Sequence, residues 1–209
     1  MKVIGILGGV ASGKSSVAES LRKRGAVVLD ADAAGHEALF EPAVKASIRR
    51  RWGDRVFDAH GDVNRRAVAA IVFAETPEAR EELAFLESLT HPLIAKSLAS
   101  QLDSFRRRGG APMAVLDAAV MLKAGWDRFC DHVVFVDAPR DVRSSRARNR
   151  GWTDAQFTAR EAAQEAVDEK RARSDYVIDN SLTPADLEAE VDRLMRWLLT
   201  APARKGGTP

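Results

Sequence analysis

The chain has 209 residues, room for one domain or slightly more, and is 45% hydrophobic and 30% charged, the make-up of an ordinary soluble globule. Its 32 Lys and Arg stand against 30 Asp and Glu, too near balance to argue for bulk nucleic-acid binding. One cysteine, Cys130, excludes an internal disulfide framework and multi-thiolate structural zinc, and no apolar run approaches the ~20 residues of a membrane span. A cytoplasmic globule with neither a membrane nor a nucleic-acid partner is expected.

Residues 2–7 are apolar and partly β-branched and run into a glycine cluster, which predicts a buried strand. Lys2 followed by the apolar stretch 3–11 could imitate the start of a signal peptide, but the glycine motif explains it better. Residues 15–24 place Val17, Ala18 and Leu21 among charges, a helix closing at Gly25. Residues 26–29 form a second buried strand. Strand, glycine loop, helix and strand within thirty residues make a βαβ unit, so the sheet should be parallel. From Ala33 to about Arg108 the pattern is helical, broken at Pro42, Gly53 and His60-Gly61-Asp62, with helix starts expected at Pro77 and Pro92. Strands resume at 113–116, 132–136 and 176–178, alternating with helices from Pro139, Asp154 and Pro184. The expected fold is therefore α/β: a parallel five-stranded sheet flanked by helices, with core segments 1–32 and 111–200. A helical insertion occupies 33–110, and residues 201–209 read as a frayed tail.

Gly8-Gly9-Val10-Ala11-Ser12-Gly13-Lys14-Ser15 fits G-x-x-x-x-G-K-[ST] at every required position, between a strand and a helix. Glycines let backbone N–H groups converge on phosphate oxygens, and the helix aims its positive end at the same place. Lys14 adds charge for the β- and γ-phosphates, and the Ser15 hydroxyl is a Mg²⁺ ligand. Neither N-K-x-D nor T-K-x-D occurs, so guanine recognition by that route has no support. The length favours a small-molecule kinase.

A kinase acting on a hydroxyl needs a carboxylate near the γ-phosphate. Asp30 and Asp32 lie just past the second strand, at the sheet edge where open α/β folds bind ligands. Asp32 is the expected base; Asp30 is read as structural or metal-linked, and either Asp is also a good helix N-cap. Asp117, ending the third strand, is a candidate outer-shell Mg²⁺ carboxylate or a strand-end cap. Arg143, Arg146, Arg148 and Arg150 crowd one helix, with Arg146 and Arg150 on one face and Gly151 behind them. This predicts a lid over 146–156 whose arginines close on the transferring phosphate, the other reading being a solvated basic face. Arg49-Arg50-Arg51 and Arg106-Arg107-Arg108 read as solvated helix ends.

With these residues placed, the chain resembles the dephospho-coenzyme A kinases, P-loop kinases of coenzyme A synthesis, nearly end to end. The resemblance rests on the glycine loop, on Val28-Leu29-Asp30-Ala31-Asp32, and on Gly61-Asp62-Val63-Asn64-Arg65 leading to Ile71-Val72-Phe73. It continues through Glu87 to His91-Pro92-Leu93-Ile94, Arg146 and Arg150, Gln164 with Lys170, and Asp175-Tyr176-Val177-Ile178-Asp179-Asn180. It implies transfer of the ATP γ-phosphate to the ribose 3′-hydroxyl of dephospho-coenzyme A, with Mg²⁺ required. It implies Asp32 as catalytic base, Lys14 and Arg146 as phosphate-handling cations, and an ATP site of Ala11, Ser12, Gly13, Lys14, Ser15 and Ser16 with Arg150 and Asn180. The insertion would be the coenzyme A domain, with Arg65 and His91 on the substrate side or in domain packing; His91 could equally cap a helix. The family's P-L-L-[FV]-E stretch is here Ala119-Val120-Met121-Leu122-Lys123, without the proline and with an inverted charge at Lys123. Its apolar part should still pack. Other readings are another small-metabolite or nucleoside monophosphate kinase, or a non-catalytic ATP-binding module. The sequence reads no further on assembly than a monomer or small homo-oligomer.

Overall fold

The computed structural model of the chain describes residues 1–202 and 204; residues 203 and 205–209, most of the expected tail, lie outside the described residues. The strands are β1 (Lys2–Gly8), β2 (Val27–Leu29), β3 (Met113–Asp117), β4 (His132–Asp137) and β5 (Tyr176–Asp179). In chain order the helices are α1 (Lys14–Lys23), α2 (Ala31–Ala38), α3 (Pro42–Trp52), α4 (Arg65–Val72) and α5 (Ala79–Arg108). The later ones are α6 (Arg140–Asn149), α7 (Asp154–Ala162), α8 (Val167–Ala172) and α9 (Pro184–Thr200). The chain divides into two compact units, Met1–Leu29 with Leu102–Pro209, and Asp30–Gln101.

The first unit carries all five strands, in the order β2-β3-β1-β4-β5, every pair parallel. β1 lies at the centre because both its faces are apolar, and its residues from Val3 onward are buried. It pairs Ile6 with Asp117 of β3 and Gly8 with Val136 of β4. The chain moves one way from β1 to β2 and the other way to β4, so the carboxyl end of β1 is the point where a parallel sheet opens a crevice. Leu187, Val191, Leu194 and Leu198, one face of α9, pack with Val17 and Leu21 of α1 and with strand residues Ile4, Val134 and Ile178. Thr183 and Asp186 close a capping box on α9, with Pro184 in its first turn.

At the amino-terminal edge of the sheet two aspartates stitch neighbouring strands. The Val3 N–H donates to Asp131 at 2.7 Å and the Val133 N–H donates to Asp175 at 2.7 Å. The segment 119–125 forms turns in which Met121 and Leu122 are buried and Lys123 is exposed, so the apolar half of the divergent stretch does pack.

The second unit is helical. Val44, Ile48 and Trp52 of α3 pack with Val56 and with Val68 and Val72 of α4. Pro42 opens α3 and Gly53, at φ +73°, ends it. The Asn64 side chain accepts from the Arg66 and Ala67 N–H groups and caps α4. One expectation is corrected here: Pro92 starts no helix but lies inside α5, and His91 is therefore mid-helix rather than a cap. A buried row at Thr90, Ile94, Leu98 and Leu102 runs past the proline at four-residue spacing, and its burial outweighs the one backbone hydrogen bond the proline removes.

Candidate active site

The glycine loop joins β1 to α1, and each glycine has a separate reason to lack a side chain. A Cβ on Gly8 would meet the Ser12 Oγ at 2.4 Å. On Gly9 it would meet the Arg143 guanidinium at 2.8 Å, and on Gly13 the Asn180 amide at 2.1 Å. Gly13 is also left-handed, at φ +96°, and serves as the N-cap of α1 without any side-chain cap. With no acidic residue in the first turn either, the orphan N–H groups of α1 are left for an external anion.

The loop is braced from behind. Asn180, buried at the end of β5, donates to the Ser12 carbonyl at 2.8 Å, and Arg146 donates to the same oxygen at 3.2 Å. Arg143 is buried, donating to the carbonyls of Ala138 at 3.1 Å and Val10 at 3.3 Å and to Glu161 at 2.6 Å. It does not belong to a solvated face. Its placement is the main site feature that the sequence reading undersold, and the signal available was Gly9, whose missing Cβ makes the room.

Lys14 folds back so that its ammonium donates to the carbonyls of Gly9 at 3.2 Å and Gly8 at 3.4 Å. Burial lowers its pKa, and the nearby Arg143 and Arg150 push the same way while Asp117 opposes them. Lys170, on α8, is 2% exposed and donates to Gln164 at 2.8 Å. Its pKa too is lowered, first by burial and then by Lys14. The loop is thus ringed by cations that are costly to keep charged without an anion among them.

Ser15 and Ser16 are exposed in the first turn of α1. The Ser15 hydroxyl and the half-buried Asp117, which ends β3 and acts on Lys14, are hard oxygen donors. Among the described residues no group of three or more His, Cys, Asp or Glu could hold a metal. A donor set this sparse suits Mg²⁺, which keeps waters and takes phosphate oxygens rather than a protein cage.

Of the remaining expected residues, Asp30, Asp32, Arg65 and His91 lie in the helical unit and those of the lid in the first unit. Asp30 is the N-cap of α2, its carboxylate accepting from the Ala33 N–H at 2.7 Å, while its backbone N–H donates to Gln101 at 3.0 Å. That leaves the exposed Asp32, in the first turn of α2, as the uncommitted carboxylate of the pair. Arg65 is exposed at the start of α4 and His91 is half-buried in α5. Within the predicted lid, Arg148 pairs with Asp154 at 2.9 Å, Arg150 is exposed, and Gly151 is left-handed at φ +81°.

Residues 2–186 match the family model of dephospho-CoA kinase. A dephospho-CoA kinase of Anaeromyxobacter dehalogenans is 41% identical over 98% of this chain and 96% of its own length. A crystal structure of a Thermus thermophilus protein, 32% identical, superposes with a TM-score of 0.76 over 94% of this chain and 97% of that one. The Campylobacter jejuni dephospho-CoA kinase, 21% identical, shares the fold at a TM-score of 0.68 over 95% of this chain and 98% of that one. A family match across both units and the glycine loop, with relatives matching end to end, leaves one conclusion: this chain is a member of the dephospho-CoA kinase family.

Proposed function

We infer that the chain transfers the γ-phosphate of ATP to the ribose 3′-hydroxyl of dephospho-CoA, giving CoA and ADP, the last step of coenzyme A synthesis. The observation that carries this reading is the family match over residues 2–186, which includes the loop built to receive phosphate. Residues 11–16 wrap the ATP phosphates, their N–H groups replacing water around the anion. Lys14 leaves the carbonyls of Gly8 and Gly9 for the phosphate oxygens. Arg146 and Arg150, on a lid over 146–156, neutralise charge on the transferring group, and Asn180 holds the loop in shape.

Asp32 takes the proton of the attacking hydroxyl. In support of that role, its neighbour Asp30 is spent on the helix cap, and the pair follows β2 by one and three residues. Ser15, with Asp117 as an outer carboxylate, would hold Mg²⁺, which would supply charge neutralisation to the phosphates. The insertion over 33–110 receives the acceptor, with Arg65 and His91 as its substrate-side residues. No helix among the described residues is long and apolar enough to cross a membrane. We place the reaction in the cytoplasm, carried out by a monomer or small homo-oligomer.

ADP release with Mg-ATP, comparing dephospho-CoA, AMP, CMP and no acceptor, tests the reading. Strong dependence on dephospho-CoA is expected. The Asp32→Asn variant should lose about 10²–10⁴-fold in kcat, the usual worth of a positioned base. Turnover of another acceptor alone would discard the substrate, and full activity in the variant would discard the base.

A further inference from the structure

Lys170 is buried more completely than Lys14, yet no part of the phosphate-loop chemistry above requires it. Its ammonium carries three donors, and its one hydrogen bond among the described residues is to a neutral amide, Gln164 Oε1, at 2.8 Å. Its charged neighbours are Lys14, Glu165 and Arg143, two cations and one carboxylate. A buried ammonium without a carboxylate in direct contact is expensive, and a fold tolerates such a group where a ligand completes it.

The surroundings identify that ligand's chemistry. Lys170 lines a cleft of about 360 Å³ with Gly9 and Val10 of the loop and with Glu161, Gln164 and Glu165. Glu161 is already held by Arg140 at 2.9 Å and Arg143 at 2.6 Å, so its charge is spent on two guanidiniums. Gly9, which lines the cleft, also accepts the Lys14 ammonium on its carbonyl at 3.2 Å, and the charge of Lys14 acts on Lys170. An oxyanion beside Gly9 therefore meets two lysines, one from α1 and one from α8.

We propose that Lys170 is a second phosphate-contacting lysine, a catalytic residue whose ammonium is positioned by Gln164 to hold an oxygen of the phosphoryl group in transfer. This rests on the kinase reading given above. No bond to Lys170 forms: the phosphorus leaves the ADP oxygen, joins the acceptor hydroxyl oxygen, and the hydroxyl proton passes to a carboxylate. Lys170 stabilises the charge spread over the phosphoryl oxygens meanwhile.

The purified full chain tests this through Lys170→Met, which keeps an unbranched side chain, one atom shorter, and removes the charge. Turnover should fall about 10²–10³-fold in kcat, with a smaller change in KM for ATP. The ligand-free melting temperature should hold or rise, since a costly buried charge is gone. Wild-type protein should be stabilised more by Mg-ATP than by Mg-ADP, and Lys170→Met should lose most of that difference. Gln164→Glu serves as the second variant, and as the deciding one should Lys170→Met not fold. It gives Lys170 a carboxylate partner in the same place, so it should raise the ligand-free melting temperature yet slow transfer at least about tenfold. Wild-type kcat in Lys170→Met, or an ATP–ADP difference equal to wild type in both variants, would overturn the proposal. Because that difference is read without an acceptor, it stands apart from the substrate: a wild type silent on dephospho-CoA defeats only the kinase reading.

Discussion

The two edges of the parallel sheet use charge in opposite ways. At the amino-terminal edge the charges of Asp131, Asp175, Lys2 and Arg204 meet partners within the protein. Asp131 and Asp175 accept backbone N–H groups from adjacent strands, Lys2 donates to the carbonyls of Leu198 and Ala201, and Arg204 pairs with Asp175 at 3.6 Å. At the carboxyl edge the lysines settle for weaker partners. Lys14 rests on two carbonyls and Lys170 on an amide, while burial lowers both their pKa values. Charge that holds a fold together is neutralised by the fold, whereas charge kept for a ligand remains a cost until that ligand binds.

The comparison breaks most visibly at Lys14. Lys14→Met should lower kcat by about 10³-fold or more, since the phosphate charge then has one fewer counterion in a water-poor site. Its ligand-free stability should not fall, because a partly desolvated ammonium has been removed. Chemical denaturation of the free protein beside steady-state kinetics reads both. A variant that is inactive because it is unfolded would put Lys14 in the class of Asp131 and Asp175.

His132 offers a smaller test, at the other edge. It is 1% exposed, lies edge-on to Trp197 at 5.0 Å between ring centres, and its Nε2 has no hydrogen-bond partner among the described residues. Burial, then the charge of Lys2, lowers its pKa, although Asp175 and Asp131 oppose this. Folding therefore favours the neutral ring. Above the unfolded pKa, about 6.5, the group costs nothing, and as pH falls from there toward the lowered folded pKa stability is lost. One site can contribute at most about 1.4 kcal/mol per pH unit. Denaturation midpoints from pH 7.5 to 5.0 should fall further for wild type than for His132→Phe. Parallel curves would mean that Asp131 and Asp175 already balance the imidazolium.

How much of this the sequence discloses follows from the range of each interaction. The strands, their parallel sense and the glycine loop are legible because local apolar runs and glycine spacing specify them directly. The cap at Asp30 was one of two local readings, and Ala33 decides it. Pro92 misleads because the local cost of a proline is visible, while the buried row from Thr90 to Leu102 is set by tertiary packing. Arg143 is hidden for the same reason. Four arginines within eight residues read as one basic face, yet Arg143 turns inward to Val10, Ala138 and Glu161 while Arg148 stays outside with Asp154. Lys170 stands 156 positions from Lys14, and only folding puts their charges within reach of each other.

Ala11 tests the carboxyl edge most finely. At φ +58° it has the one positive φ of a non-glycine residue among those described, in a loop where glycine would be free of strain. The left-handed conformation costs an L-residue about 1–2 kcal/mol. Two terms oppose replacing it: glycine's added freedom in the unfolded chain, about 0.4–1 kcal/mol, and the loss of a buried methyl, about 0.8 kcal/mol. That methyl belongs to a cluster with Val10, Ala147 of α6 and Phe157 of α7, which explains why alanine is tolerated. Ala11→Gly should therefore leave stability within about 0.5 kcal/mol of wild type, as relief and loss offset. Ala11→Val, β-branched at the same φ, should be clearly worse. A gain well above 1 kcal/mol in Ala11→Gly would show that the α6–α7 packing contributes little at Ala11 and that the loop carries its strain uncompensated.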